Sequence, residues 1–310
     1  MGRRASTVVC LIASIVAVVG LVACGSKSSN PTVESALGDD AITVGSFNFA
    51  ESELLAEIYS QALEGGGFRV RRAFDLGPRE FVDPALAQGL IEFVPEYAGT
   101  ALLFSSLGAR QPTVDVNATH DGLVRALAKR HVTALDPALA QDANTFVVRR
   151  ETATRYGLRD ISDVAKIASR FALGGPPECP SRQQCLLGLE QVYGLKFKEF
   201  VRLDAGGPIT RQALKDGYVD MAVLFTTDPA IERDHLVELV DDRSLQPAEN
   251  VIPLVRTEVV AQFGPDMVKL VGAVSARLTT AVLRDLNAQV ESGKTAAAVA
   301  AGWLKVEDLR

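Results

Sequence analysis

From residue 42 onward, short apolar runs alternate with stretches whose apolar residues recur every three or four positions. Residues 41–45 (AITVG) form a near-continuous apolar run, the pattern of a buried strand. Residues 51–64 place Leu54, Leu55, Ile58 and Ala62 on one helical face. Glu51 and Glu53 suit the positive first turn of that helix, and Gly65, Gly66 and Gly67 stop it. Residues 68–74 (FRVRRAF) alternate apolar and basic positions, as a strand does. Strand, helix and strand in this order predict an α/β fold with largely parallel pairing.

The second half repeats the arrangement. Residues 171–174 read as a strand, 182–193 as a helix stopped by Gly194, and 195–200 (LKFKEF) as another strand. The closest echo joins residues 85–100 (ALAQGLIEFVPEYAGT) to 213–228 (ALKDGYVDMAVLFTTD). At an offset of 128 residues, Gly89 meets Gly217, Glu92 meets Asp220 and Tyr97 meets Phe225. Matching segments in the same order indicate a duplication. Two similar α/β lobes, each with an aromatic residue after a strand, predict a ligand cleft between them. The C-terminal residues 266–309 read as packing helices: Met267, Leu270, Val274 and Leu278 mark one face, and a second helix at 296–304 carries Trp303.

The start of the chain follows a different pattern. Arg3 and Arg4 precede a charge-free apolar run at 7–23, short for a membrane span but suited to a signal peptide. The run ends in Leu21, Val22, Ala23, Cys24 and Gly25, which resembles the bacterial lipobox. That resemblance implies a signal peptide at 1–23, lipidation of Cys24 and, from composition, a flexible tether at 24–40. The bland alternatives are an ordinary signal peptide or a signal anchor. The expected location is outside the cytoplasm, anchored to the membrane through Cys24. Losing 1–23 removes Arg3 and Arg4 and no acid, taking the formal charge from −6 to −8. Such an acidic chain is a poor nucleic-acid binder.

With Cys24 assigned to lipid and Cys10 to the leader, Cys179 and Cys185 remain. Outside the cytoplasm an even remainder favours a disulfide, here closing a short loop, over two free buried thiols. Zinc lacks a second Cys or His pair at ligand spacing. His120, His131 and His235 sit in no metal-binding or triad context. No catalytic residues and no cofactor are implied.

Several segments resemble one family: residues 44–64 (VGSFNFAESELLAEIYSQALE), 75–80 (DLGPRE), 85–102 with its PEY-x-GT, 176–194 (PPECPSRQQCLLGLEQVYG) and the TTD at 226–228. It is the family of substrate-binding proteins of ABC importers for glycine betaine, choline and related osmoprotectants. The resemblance implies a two-lobed, type II periplasmic-binding fold, with lobe one at 41–142 plus 248–310 and lobe two at 143–247. It implies a monomer that captures a small solute and closes around it. The partners would be an ABC permease and its ATPase.

Such proteins hold a quaternary ammonium in an aromatic cage and a carboxylate on an arginine. Carried over residue by residue, Tyr97 and Phe225 are cage aromatics, Thr100 follows the PEY motif, and Arg182 is the carboxylate ligand. Ser46, Asn48 and Phe49 cap the first helix and line the cleft, and Glu96 is a further candidate there. Asn144 and Ala248 stand where two more cage tyrosines are usual, and Phe47 replaces a common lysine. The cage is therefore half built. It fits glycine betaine or choline weakly and leaves room for a larger or more hydrogen-bonding ligand. Other readings are a ligand-responsive sensor subunit or an extracytoplasmic enzyme on the same fold.

Overall fold

A computed structural model describes residues 41–309. The expected signal peptide, Cys10, lipidated Cys24 and the tether lie outside the described residues. The chain begins with β1 (Ala41–Gly45), α1 (Ala50–Gly65), β2 (Arg69–Ala73), α2 (Arg79–Gln88) and β3 (Phe93–Tyr97). It continues through α3 (Ala98–Ser105), α4 (Val116–Leu127) and β4 (Val132–Ala134). A second set follows: β5 (Asn144–Val148), α5 (Arg150–Tyr156), β6 (Ala172–Gly175), α6 (Leu186–Tyr193) and β7 (Glu199–Arg202). After these come α7 (Pro208–Lys215), β8 (Met221–Phe225), α8 (Ala230–Arg233) and β9 (Val237–Glu238). The chain then returns through β10 (Val251–Arg256) to α9 (Thr257–Arg277), α10 (Thr280–Glu291) and α11 (Ala296–Val306).

The strands form two five-stranded sheets, ordered β2-β1-β3-β10-β4 and β7-β6-β8-β5-β9. Position for position these are the same sheet built twice. β3 and β8 begin and end 128 residues apart, the offset of the sequence echo. Gly89 and Gly217 close α2 and α7 at φ 74° and 75°, which side-chain-bearing residues rarely adopt. The acidic pair of the echo has a structural role. Glu92 accepts the Thr43 N–H (2.7 Å) and ties β1 to β3, while Asp220 accepts the Ala172 N–H (3.0 Å) and ties β6 to β8.

The pairing departs from the parallel expectation at one strand per sheet. β10 runs antiparallel to β3 and β4, and β5 runs antiparallel to β8 and β9. Each enters straight from the other sheet, so no crossover helix imposes a parallel course. The two connecting segments lie side by side, with Gln141 bridged to Asn250 and the Asp142 N–H donated to the Glu249 carbonyl (3.0 Å).

The first core forms where α1 packs against α9 and α11. Leu54, Leu55, Ile58, Tyr59 and Leu63 are fully buried, each contributing roughly 1.5–3 kcal/mol. That burial fixes the helix whose first turn faces the cleft. A second core gathers Phe146, Leu173, Leu189, Leu195 and Met221. Three expected elements shift. The helix expected from 182 begins at Leu186, because the chain is extended at Arg182 and Cys185 is non-helical (φ −137°, ψ −136°). The strand expected at 195–200 is β7, four residues later at its start. The helix expected from 266 is the second part of α9, which breaks at Gly264 (φ 71°, ψ −161°) before Pro265.

Candidate functional site

Between the two sheets lies a cleft of about 980 Å³. Its floor is made by the connecting segments, through Asp142, Asn144, Gln246 and Glu249. One wall comes from the start of α1 (Phe49, Glu51) and the β3–α3 junction (Tyr97, Thr100). The opposite wall comes from the Cys179–Cys185 loop with Arg182, the entry to α7, and the end of β8 with Phe225. Asn287 and Glu291 of α10 close one side.

The structure thus brings together Phe49, Tyr97, Thr100, Asn144, Arg182 and Phe225 from five separate stretches of chain. Cys179 and Cys185 are joined in a disulfide, which closes the loop carrying Arg182. Arg182 is exposed and makes no side-chain hydrogen bond or ion pair among the described residues. Gly206 (φ 68°) lets the chain pass against the Phe225 ring; a Cβ there would meet the ring at 3.0 Å.

Five expectations need correction. Ser46 is fully buried beside the cleft wall; its hydroxyl donates to the Phe47 carbonyl (3.0 Å) and accepts the Asp75 N–H (2.9 Å). It belts the loop rather than capping α1. Asn48 is exposed and does not line the cleft. Phe49 occupies the N-cap position without a side-chain cap, while Ser52 Oγ accepts the Phe47 N–H (2.9 Å) and holds the turn from inside the helix. Glu96 neither lines the cleft nor faces solvent: it is 2% exposed, paired with Arg79 and bonded to the Tyr97 N–H (2.5 Å). Ala248 is buried too, and its neighbours Pro247 and Glu249 reach the cavity instead.

The aromatic groups form a stack rather than a cage. Phe47 and Phe49 lie 5.9 Å apart with planes within 2°, and Phe49 and Tyr97 lie 6.3 Å apart at 24°. Arg79 covers the buried Phe47 ring at 5.0 Å, so a guanidinium from α2 stands by the position where a lysine is common. Tyr97 is 6% exposed, whereas Phe49 is 45% exposed and Phe225 is half-buried. Two rings therefore present substantial surface to a solute.

Sequence reasoning missed the carboxylates. Glu51 was visible only as a first-turn acid, and Asp142 and Glu249 were not singled out, lying beside the expected lobe boundaries. Six carboxylates line the cleft against three guanidiniums. Two of those guanidiniums are already engaged: Arg79 by Glu96, and Arg211 by Asp228 (3.1 Å) and Glu291. Glu51 accepts from Tyr97 (2.6 Å) and Asn287 (2.5 Å), and Asp142 from the Thr227 hydroxyl (2.8 Å). Glu249 accepts from the Thr100 N–H (3.0 Å) and hydroxyl (2.8 Å). All these donors are uncharged.

Burial dominates the titration of these groups. It raises the Glu51 carboxyl, against hydrogen bonds from Tyr97, Thr227 and Asn287. It holds Asp142 well above the usual carboxylate range, with the Glu51 charge adding to the effect. It pushes Glu249 up to about 7, against the two bonds from Thr100. Tyr97 is also held well above its ordinary value, first by burial and then by the Glu51 charge. A cleft with this excess of partly neutralised carboxylates attracts a cation and disfavours an anion everywhere except near Arg182.

Residues 40–306 match the family described as the substrate-binding domain of ABC-type glycine betaine transport systems, and the chain belongs to that family. It is 28% identical over 275 residues to the glycine betaine-binding protein YehZ of Escherichia coli (strain K12), covering 85% of this chain and 90% of that one. It is 24% identical over 260 residues to the ergothioneine transport permease/ergothioneine binding protein EgtU of Helicobacter pylori (strain G27). That match covers 83% of this chain and 46% of the relative, so the chain spans about half the relative's length. A solved structure described as a glycine betaine/carnitine/choline ABC transporter superimposes with a TM-score of 0.79 at 22% identity, over 86% of this chain and 99% of that one. This last likeness shows the two-lobed α/β fold.

Proposed function

We propose that the chain is an extracytoplasmic solute-binding protein that captures a small cationic, osmoprotectant-like solute in its cleft and delivers it to an ABC permease and its ATPase. The observation that carries the reading is the pairing of carboxylates that have no cationic partner with exposed aromatic surface, and an arginine without an ion pair on the opposite wall. Relatives named for glycine betaine, carnitine and ergothioneine support a solute of this class, since each of those compounds joins a trimethylammonium group to a carboxylate. In this reading the cation sits by Phe49, Phe225, Glu51 and Asp142, and a carboxylate, when present, meets Arg182. Tyr97 positions Glu51, and Thr100 positions Glu249. Asn144, which donates to the Gln184 carbonyl (3.2 Å), braces the loop beyond Arg182.

The lobes comprise residues 41–142 with 248–310, and 143–247, and close by bending of the two connecting segments. Cys24 anchors the protein to the membrane, and the protein works as a monomer without a cofactor. Binding without turnover is the favoured mode, because the family is one of substrate-binding domains and none of the three histidines lines the cleft. The test is isothermal titration of the full chain with glycine betaine, choline and carnitine. Saturable one-to-one binding is expected, with Arg182→Ala weakening the carboxylate-bearing solutes and sparing choline. Failure of every cationic solute to bind a folded protein would overturn the reading.

A further inference from the structure

Within the cleft, Glu51 and Asp142 converge on Thr227. The Thr227 hydroxyl bonds Asp142 (2.8 Å), and Asn287 bridges Glu51 (2.5 Å) and the Thr227 carbonyl (3.3 Å). Glu51 is further tied to Tyr97. Every one of these donors is neutral, so two carboxylates stand together in the cleft with no guanidinium or ammonium beside them. Taking such a pair out of water costs several kcal/mol per charge, a cost met by holding a proton in the empty cleft and by a cation when one arrives. Asp142 takes hydrogen bonds from Thr227 alone, which leaves acceptor positions on its carboxylate free.

The aromatic side of the cleft is correspondingly thin. A permethylated ammonium donates no hydrogen bond and is held by ring faces on several sides. Here Tyr97 is nearly buried and its hydroxyl is committed to Glu51, so Phe49 and Phe225 are left to supply the faces. An ammonium that retains an N–H gains a charge-assisted bond to Asp142, roughly twice as strong as a neutral one. A methyl group in the same place leaves those acceptors unpaired.

We propose that Glu51 and Asp142 make the cleft select a solute whose cationic group carries at least one N–H: an amine, a guanidine or an incompletely methylated ammonium compound ahead of its permethylated counterpart. Asp142 is the direct partner, and Glu51, fixed by Tyr97 and Asn287, supplies the second charge. This rests on the reading that the cleft binds a small cationic solute.

The experiment is a methyl series titrated calorimetrically against the full chain at pH 7, where each head group is cationic: choline, N,N-dimethylethanolamine, N-methylethanolamine and ethanolamine. Affinity is expected to rise about tenfold or more when choline loses one or two methyl groups. Asp142→Asn and Glu51→Gln, checked for folding by thermal unfolding, are expected to flatten that gradient, with a larger loss for the amines than for choline. If wild-type protein binds choline at least as tightly as its amines, the inference is overturned and the solute-binding reading stands. If none of the four binds while glycine betaine or carnitine does, the inference is overturned and the solute-binding reading stands; if those fail as well, both are overturned. The wild-type series decides the matter even where a variant fails to fold.

Discussion

Tyr97 donates its phenolic hydrogen to Glu51 Oε1 across 2.6 Å, joining the end of β3 to the first turn of α1 at the cleft wall. The bond spans 46 residues of sequence and converts a motif tyrosine from a ring that faces solute into a group that aims a carboxylate. Tyr97→Phe keeps the ring and deletes the donor. It should destabilise the fold by about 1–3 kcal/mol, the usual range for a buried acceptor losing its partner. It should also weaken cationic solutes more than neutral ones. Denaturant unfolding and calorimetry on one preparation measure both; unchanged stability and affinity would show the bond to be dispensable.

Glu249 gives the protein a pH dependence of unusual sign for a carboxylate. Its folded carboxyl titrates at about 7, against an ordinary value of 4.5. Between those values the folded state holds more protons than the unfolded chain, so stability falls as pH rises through this window and levels off above it. A displacement of this size corresponds to about 3 kcal/mol. Glu51 and Asp142 shift in the same direction and steepen the slope. Glu249→Gln should flatten part of it while keeping an acceptor for Thr100. Midpoints of thermal unfolding between pH 4.5 and 8 test this, and a midpoint that climbs across the range contradicts it.

Gly99 is the tightest point under that carboxylate. A Cβ there would lie 2.8 Å from the Ala248 carbonyl oxygen and 2.9 Å from Glu249 Oε1. Gly99→Ala should therefore push Glu249 away from Thr100 and cost roughly 1–3 kcal/mol through overpacking. The pH slope assigned to Glu249 should change with it, which a purely steric effect elsewhere would leave alone.

The Cys179–Cys185 bond encloses few residues, so its removal should cost only about 2 kcal/mol of unfolded-chain entropy. Its local effect should be larger. Reduction frees the loop that carries Arg182, and affinity for carboxylate-bearing solutes should drop while choline is little affected. Calorimetry with and without reductant distinguishes this from general unfolding, which would abolish both.

Much of the frame was legible because it is written in local patterns. The strand at 41–45 and the 128-residue echo, with its matched glycines 89 and 217, depend on a few neighbouring residues, and the structure places them as read; the left-handed backbone of both glycines is a structural finding. Glu92 and Asp220 were legible as a matched pair, though not as clamps on the edges of β1 and β6. The cleft was harder to read because its carboxylates are made special by long-range burial. Glu51 has the same local setting as Glu53, yet Glu51 meets Tyr97 and Asn287 while Glu53 is exposed on the other side of the helix. Ser46 misled for the complementary reason. A serine before a helix usually caps it, but here its hydroxyl is spent on Phe47 and Asp75.

α10 packs beside α1 and α11, yet its polar face reaches α7, α8 and the segment after β8. Glu291 receives Arg211 of α7 and Arg233 of α8 (2.7 Å). Burial works against its ionisation, but those two guanidiniums hold its carboxyl below the ordinary range. One turn and two turns earlier, Asn287 bonds the Thr227 carbonyl (3.3 Å) and Arg284 the Thr226 carbonyl (3.0 Å). These contacts cross between the sheets and can persist only while the lobes stay close. The ion pairs of Glu291 are partly exposed, so solvent screening limits each to about 1 kcal/mol or less. In the proposed closure, with two states a few kcal/mol apart as is usual for such equilibria, that is enough to change populations severalfold. Glu291→Gln should therefore shift the unliganded protein toward an open form, seen as a larger radius of gyration in small-angle scattering. Saturating solute should restore the compact value, because ligand contacts from both walls replace the lost pairs. Raising ionic strength should open wild-type protein in the same direction and the variant less. Equal scattering curves for wild type and variant at low salt would remove α10 from the closing equilibrium.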